Sequence, residues 1–517
     1  MKHFNTAGPC HPQRHYMLPA TQRLKEENIA RLIETDSYFV VHAPRQTGKT
    51  TAMVELAKEL TASGQYTSAL VSMEVGAGFP DDIGAAEDAI LSNWRKGLSY
   101  DLPKELQPPP WPEDKKGERI SSALQAWAEA SSRPLVLFLD EIDALQDHVL
   151  ISVLRQLRSG FRWRPKGFPA ALALIGLRDV RDYKIKSGGS PRLGSPSPFN
   201  IAVRAITLRN FSAEETKQLL QQHTAETGQV FTAEALNRVG DLTQGQPWLV
   251  NALASVATEE LVQNDDQPIT ADVINQAKEI LILRRQTHLD QLLDKLRQER
   301  VKHVIEPLLA GGVMDNVSTD DRDYVVDLGL VRRLQGGHLV VANPIYQEII
   351  PRELASGTQD SLPMIQPSWL TADNKLDPDE LLASFISFWK QHGQPLLKSA
   401  PYHEIAPHLV MMAYLHRVVN GEGTIEREYA IGSRRIDLLV RYGDVQVAME
   451  LKVWRDGHKN PTQDGLSQLD RYLDGLGLET GWLVIFDQRS GQPDISERAR
   501  TETAVSPKER QVTLIYA

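Results

Sequence analysis

One stretch near the C-terminus, IDLLVRYGDVQVAMELKV, dictates its own strand pairing and hence the neighbours of its side chains. Two apolar-rich runs flank Gly443 and Asp444, and a two-residue turn there makes antiparallel partners of residues whose numbers sum to 887. Because side chains alternate across a strand, Asp437 then lies opposite Glu450 on the face that also carries Lys452. Leu438, Val440, Val447, Met449 and Leu451 supply the apolar remainder.

Two carboxylates and an ammonium on one sheet face suit phosphodiester hydrolysis. The oxygens can hold Mg²⁺ or Mn²⁺ against a scissile phosphate, and the lysine can orient or help deprotonate the attacking water, or steady the developing charge. Downstream, Gln468 and Tyr472 in LSQLDRYLDGLG stand four residues apart on one helical face. The same charges would also serve as an ordinary solvated hairpin face. The order of pieces nevertheless resembles the PD-(D/E)XK nuclease superfamily, and the Gln-x-x-x-Tyr helix, followed by the apolar strand WLVIF, looks like its RecB-type branch. That resemblance implies catalytic roles for Asp437, Glu450, Lys452, Gln468 and Tyr472, and makes Glu404, near the start of the preceding helix, an additional metal ligand.

A second constellation lies near the other end. The apolar strand SYFVVHA runs into APRQTGKTT and then the helical stretch AMVELAKEL. Such a loop turns backbone N–H groups toward a polyphosphate. Lys49 contacts the β and γ phosphates, Thr50 binds Mg²⁺, and Gly48 and Thr51 complete the cradle. This is a P-loop signature, with Ala43 where the first glycine is usual. The strand RPLVLFLDEID ends in Asp140, placed for a Mg²⁺ contact, followed by Glu141, suited to activating water. ATP is the expected nucleotide and hydrolysis the expected reaction.

The region after these motifs resembles the AAA+/STAND group of ATPases. The resemblance makes Arg178, at the end of ALALIGLRD, a nucleotide-sensing residue, with Arg181 its competitor; either could instead pair with Asp179 or Asp182. FSAEETKQLLQQH and FTAEALNRVGDLTQGQPWLVNALA read as lid helices, and GQP at 245–247 matches a turn these proteins place near the adenine; a plain helix stop and restart is the alternative. RVKHVIEPLLAG, TDDRDYVVDLGLV and VRRLQGGHLVVANPIY have the order of a winged-helix module, preceded by Arg284 and Arg285. The opening FNTAGPCHPQRHYMLPATQRL resembles the leader of a bacterial family of AAA-like ATPases, some fused to nuclease domains.

Composition sets the remaining bounds. At 517 residues the chain can bury several cores, and no apolar run approaches the roughly 18 residues that span a bilayer. With no apolar signal core at the N-terminus, a cytoplasmic protein without a membrane partner is expected. One cysteine, Cys10, excludes an intramolecular disulfide. The net charge of −10 leaves nucleic-acid contacts to local patches. Arg178, Arg181, Lys184, Lys186 and Arg192 form one such patch in a Gly-, Ser- and Pro-rich loop, and Arg162 or Arg164 in FRWRPKG is a candidate finger for an adjoining ATP site. WPEDKKGER reads as an exposed insertion.

The expected fold class is an α/β multidomain chain. It comprises a P-loop ATPase domain (1–210), a helical lid (211–290), a winged-helix module (291–355), a Pro-, Ser- and Asp-rich linker (356–380) and a PD-(D/E)XK α/β nuclease fold (381–517). The expected function is an ATP-regulated nuclease using Mg²⁺ or Mn²⁺. DNA is the expected partner, with a homo-oligomeric state, an activating partner or phage-derived cue, and a role in prokaryotic defence. The competing readings are a regulatory ATPase whose nuclease-like domain binds without cutting, and a repair or motor enzyme, for which helicase motifs beyond the two Walker elements are absent.

Overall fold

The computed structural model describes residues 2–177, 201–284, 294–309, 317–360, 368–373, 375–399, 405–419, 423–431 and 434–517. The chain divides into two compact units, Met1–Arg285 with Asp323–Arg332, and Gln286–Arg322 with Arg333–Ala517. Among the described residues no helix is long and apolar enough to cross a membrane.

The first unit is built on five strands, β1 (Tyr38–His42), β2 (Thr67–Ser72), β3 (Leu135–Asp140), β4 (Ala171–Gly176) and β5 (Ala202–Thr207). Their order is β2-β3-β4-β1-β5, and every neighbouring pair is parallel. Parallel neighbours need crossovers, and helices supply them. Short α1 (Gln22–Glu26) and α2 (Ile29–Glu34) precede β1, and α3 (Lys49–Ala62), α4 (Ile83–Asp101), α5 (Arg119–Ala130) and α6 (Asp147–Gly160) follow. Burial on both faces explains the unbroken apolar runs. Phe39 and Val41 of β1 pack with Met53 and Ala57 of α3. Tyr38 and Val40 face the opposite core, with Trp94 of α4 and Trp127 of α5. The segment read as an insertion, 111–119, is mostly exposed but anchored: Trp111 packs edge-on against Trp127, and the Gly117 amide donates to Glu87 Oε2 at 2.8 Å.

The helices expected after β5 form as α7 (Ala213–Thr227), α8 (Ala233–Thr243), α9 (Pro247–Ser255) and α10 (Ala271–Arg284). Their starts were readable because the caps are local. Ser212 and Glu215 make a reciprocal capping box, Thr232 caps α8, and Gln246 caps α9 with Pro247 in its first turn. Arg284 pairs with Glu260 at 2.5 Å.

Next in chain order come α11 (Glu299–Leu309), α12 (Thr319–Asp327), the two-stranded sheet of β6 (Val331–Arg333) and β7 (Leu339–Val341), and α13 (Pro344–Asp360). The stretch read as a linker, 356–380, includes helical ends and a buried tryptophan among its described residues. Helix α13 continues to Asp360, Trp369 is buried against Tyr414, and α14 (Pro378–Ser399) has already begun by residue 380. Leu376 is buried as well.

The second unit's six-stranded sheet follows α15 (Ala406–Val419). It contains β8 (Gly423–Ile431), β9 (Arg434–Tyr442), β10 (Val445–Trp454), β11 (Trp482–Asp487), β12 (Arg500–Val505) and β13 (Gln511–Tyr516), in the order β12-β13-β11-β10-β9-β8. Strands β8, β9 and β10 are antiparallel neighbours, while β11 runs parallel to β10 after a crossover through α16 (Thr462–Leu476). Leu439, Ala448, Leu483 and Ile485 on one face meet Leu466, Leu469 and Leu473 of α16. On the other face Phe486 stacks with Trp389 of α14 and His408 of α15. Short α17 (Ile495–Arg498) lies between β11 and β12 in sequence.

Candidate nucleotide site and candidate metal centre

Strand β1 ends at His42, and the chain turns through 43–48 into α3. The turn demands left-handed backbone at Gln46 (φ 57°) and Gly48 (φ 84°) but not at Ala43, so alanine in place of the usual glycine costs no backbone strain. The first amides of α3 have no intrahelical acceptor and are available to a phosphate. Lys49 folds over the loop, Nζ donating to the Ala43 carbonyl at 2.7 Å and the Pro44 carbonyl at 2.9 Å. Burial lowers its pKa to about 8, opposed by the charges of Asp140 and Asp143.

Thr50 Oγ1 donates to Asp140 Oδ2 at 2.7 Å, joining the start of α3 to the end of β3. A hydroxyl and a carboxylate at this spacing are the hard oxygen donors that Mg²⁺ takes. Burial raises the Asp140 pKa, and that of Glu141. Glu141 holds a left-handed φ of 58°, unusual outside glycine, and its Oε2 accepts from Ser72 Oγ at 2.7 Å.

These groups line a cavity of about 410 Å³ whose opposite wall carries Pro247, Trp248 and Asn251 of α9 and Asn5, Thr6 and Cys10 of the leader. The leader is fastened across the site: Trp248 Nε1 donates to the Thr6 carbonyl at 2.9 Å, and the Cys10 amide donates to Thr51 Oγ1 at 3.1 Å. Pro247, the last residue of the GQP turn, lines this cavity. Sequence reasoning passed over Ser72 and Asn251, which line this cavity, and Arg23, whose Nη1 donates to the Thr47 carbonyl of the loop at 2.9 Å. The signal for Asn251 was present, four residues after Pro247 on the same helical face.

Arg178, with Arg181, Lys184, Lys186 and Arg192, lies outside the described residues. Arg164 is not available as a finger. Its guanidinium lies 3.5 Å over the Phe161 ring and 4.9 Å over Tyr38, and it donates to the carbonyls of Phe161 and Asp36. Arg162 stacks on Trp163.

In the second unit the hairpin has the expected register, Tyr442 opposite Val445 through Leu438 opposite Met449, with Gly443 at φ 54° in the turn. Asp437 Oδ2 accepts from the Leu451 amide at 2.9 Å. Glu450 is 2% exposed; Oε1 accepts from Lys452 Nζ at 2.6 Å, while buried Oε2 has no partner among the described residues. Burial, then the charge of Asp437, pushes its pKa up to about 8 against the opposing pull of Lys452. Lys452 Nζ also donates to Gln468 Oε1, so α16 delivers Gln468 to the site. Tyr472 packs against the apolar cluster beneath α16. Arg471, which sequence reasoning passed over, adds a positive charge acting on Glu450. Glu404 and Arg285 lie outside the described residues, and no group of three or more His, Cys, Asp or Glu that could hold a metal occurs among the described ones.

Sheet order, phosphate loop and the Asp140–Glu141 strand end together give the first unit the α/β fold of a P-loop ATPase. No protein-family model and no curated protein matches the chain. Solved structures similar to it include the Walker-type ATPase PABY2304 of Pyrococcus abyssi, 11% identical, with a TM-score of 0.43, covering 67% of this chain and 99% of that one. The Holliday junction branch migration motor RuvB of Thermotoga maritima is 16% identical with a TM-score of 0.34, covering 62% and 91%. Cdc6p from Pyrobaculum aerophilum is 14% identical with a TM-score of 0.37, covering 68% and 97%.

Proposed function

We propose that this protein is an ATP-regulated, metal-dependent nuclease: an AAA+/STAND-like ATPase, with helical lid and winged-helix module, joined to a PD-(D/E)XK nuclease. The observation that carries the nuclease reading is Glu450, a buried carboxylate with one unpartnered oxygen, beside Asp437 and in contact with Lys452. Burying a carboxylate this way is costly unless a cation compensates it. The element order α15, β8, β9, β10, α16, β11 supports the same reading, being the order by which the sequence resembles that superfamily.

Asp437 and Glu450 would hold Mg²⁺ or Mn²⁺, which when bound supplies Lewis-acid polarisation of the scissile phosphate and a more acidic water. Lys452 positions that water and steadies charge on the phosphate oxygens. Gln468 fixes the lysine through its Oε1 contact. At the first site Lys49 gathers the β and γ phosphates, Thr50 and Asp140 present oxygens to Mg²⁺, and Glu141 takes the proton of the attacking water. The nucleotide state of the first unit controls access to, or alignment of, the second site. Such gating fits a cytoplasmic homo-oligomer that cuts foreign DNA on a phage-derived or other cue.

One observation favours a second reading, a regulatory ATPase whose nuclease-like domain binds without cutting: only two carboxylates gather at the hairpin among the described residues. The deciding experiment incubates supercoiled plasmid, linear duplex, single-stranded DNA and RNA with Mg²⁺ or Mn²⁺, with and without ATP. Cutting by the wild type that disappears in Asp437→Ala is expected. No cutting under any condition, with metal affinity by calorimetry unchanged in Asp437→Ala, would overturn the nuclease.

A further inference from the structure

Asn251 sits on α9, four residues after Pro247, and is 7% exposed. Its amide orientation is determined by a neighbour: Nδ2 donates to the Pro247 carbonyl at 2.8 Å. The flipped amide would set two acceptors against each other, so Oδ1 is the group left over. That oxygen is buried and accepts no hydrogen bond among the described residues.

The residue borders two adjoining spaces. One is the cavity of about 410 Å³ that contains Lys49 and Thr50. The other, about 60 Å³, is lined largely by apolar groups, among them Leu18, Pro19, Phe211 and Leu219, is also bordered by the charged Arg23 and Glu215, and shares Gly48, Thr51 and Pro247 with the first. Phosphates belong beside Lys49, so the apolar annex is where the flat, weakly hydrated part of a nucleotide goes. At about 60 Å³ it holds only a few water molecules, so a purine would have to part its walls to enter. A polar atom left unsatisfied at such a place is explained when a ligand supplies the donor.

We infer that Asn251 is the base-reading residue of this nucleotide site and selects adenine by accepting from its exocyclic amine. Guanine and hypoxanthine carry a carbonyl at the corresponding ring position, which would bring acceptor against acceptor. A ribose hydroxyl is the other donor a nucleotide offers, but the largely apolar lining of the smaller space favours the base. The inference rests on the nucleotide-site reading of the first unit and deepens it.

The test is calorimetry on the full-length protein with Mg²⁺ and, in turn, ATP, GTP, inosine triphosphate and 2′-deoxy-ATP. Wild type, Asn251→Ala, the near-isosteric Asn251→Leu and Lys49→Ala are compared, with thermal melting without nucleotide to show that each folds. Wild type should bind ATP at least about tenfold tighter than inosine triphosphate, since a site built to pair one donor rejects the analogue lacking it. In Asn251→Ala and Asn251→Leu that ratio should collapse toward unity through loss of ATP affinity alone. An unchanged ratio in folded variants overturns the proposal. So does a variant effect that follows 2′-deoxy-ATP, which would assign the oxygen to the ribose. Failure of every nucleotide to bind wild type, or equal binding by Lys49→Ala, would instead sink the nucleotide site itself and this inference with it.

Discussion

Lys49 answers to two opposing demands, which makes it a pH-sensitive residue. Without nucleotide its ammonium is buried against two loop carbonyls, and burial pulls its pKa down to about 8. A polyphosphate favours the charged form. Below pH 8 the proton is already in place, and above it binding must take one up. The titration of Lys49 is therefore expected to leave ATP affinity unchanged below pH 8 and to lower it by up to about tenfold per unit above. Calorimetry from pH 7 to 9.5, in buffers of differing ionisation enthalpy, should show proton uptake appearing above pH 8; flat affinity with none would refute it. The position of this lysine was legible in GKTT, but its protonation behaviour was not. That follows from burial, opposed by the charges of residues as distant in the chain as Asp140 and Asp143. The same holds for Glu450 and Asp437, equivalent by pattern yet unlike in surroundings, since only Glu450 is buried with a bare oxygen.

Among the elements, the GQP turn shows how one short motif serves several ends. Gly245 takes φ +70°, and a Cβ there would stand 2.0 Å from the Phe211 carbonyl oxygen. The two residues are also joined by a bond from the Phe211 amide to the Gly245 carbonyl at 2.9 Å. Gln246 then caps α9 and Pro247 opens it. Gly228, after α7, has a φ of +86° but open space around it. Gly228→Ala should cost about 1 kcal/mol, from backbone conformation alone. Gly245→Ala should cost about 2–4 kcal/mol, because the backbone of the neighbouring segment must also move. Thermal unfolding of the two variants separates these causes, and equal losses would show that the close approach is not real. Cap residues made the helix starts at Ser212 and Thr232 readable, as the two-residue turn made the hairpin register readable. Nothing local marked the π-helical segment Val256–Leu261 that extends α9.

At the scale of the whole molecule the proposal is coupling between the two units, and it carries its own prediction. Lys49→Ala should leave metal-dependent cutting at its nucleotide-free level and abolish the response to ATP, measured as initial cleavage rates with and without nucleotide. An undiminished ATP response in that variant would refute the coupling while leaving the nuclease intact. Some of this architecture was written in short-range pattern. Strand, loop and helix around GKTT, the apolar strand ending in Asp140 and the register of β9 on β10 all depend on residues close in the chain, whose geometry is nearly settled by backbone sterics and side-chain period. Only the tertiary structure decided what those pieces meet. The leader reaches Trp248 across 242 residues, Thr50 reaches Asp140 across 90, and Arg164 is consumed by ring packing and backbone carbonyls. Asn251 keeps an oxygen that has no partner among the described residues, beside a largely apolar space. Burial and hydrogen-bond satisfaction are sums over neighbours from distant parts of the chain, so no local window contains them.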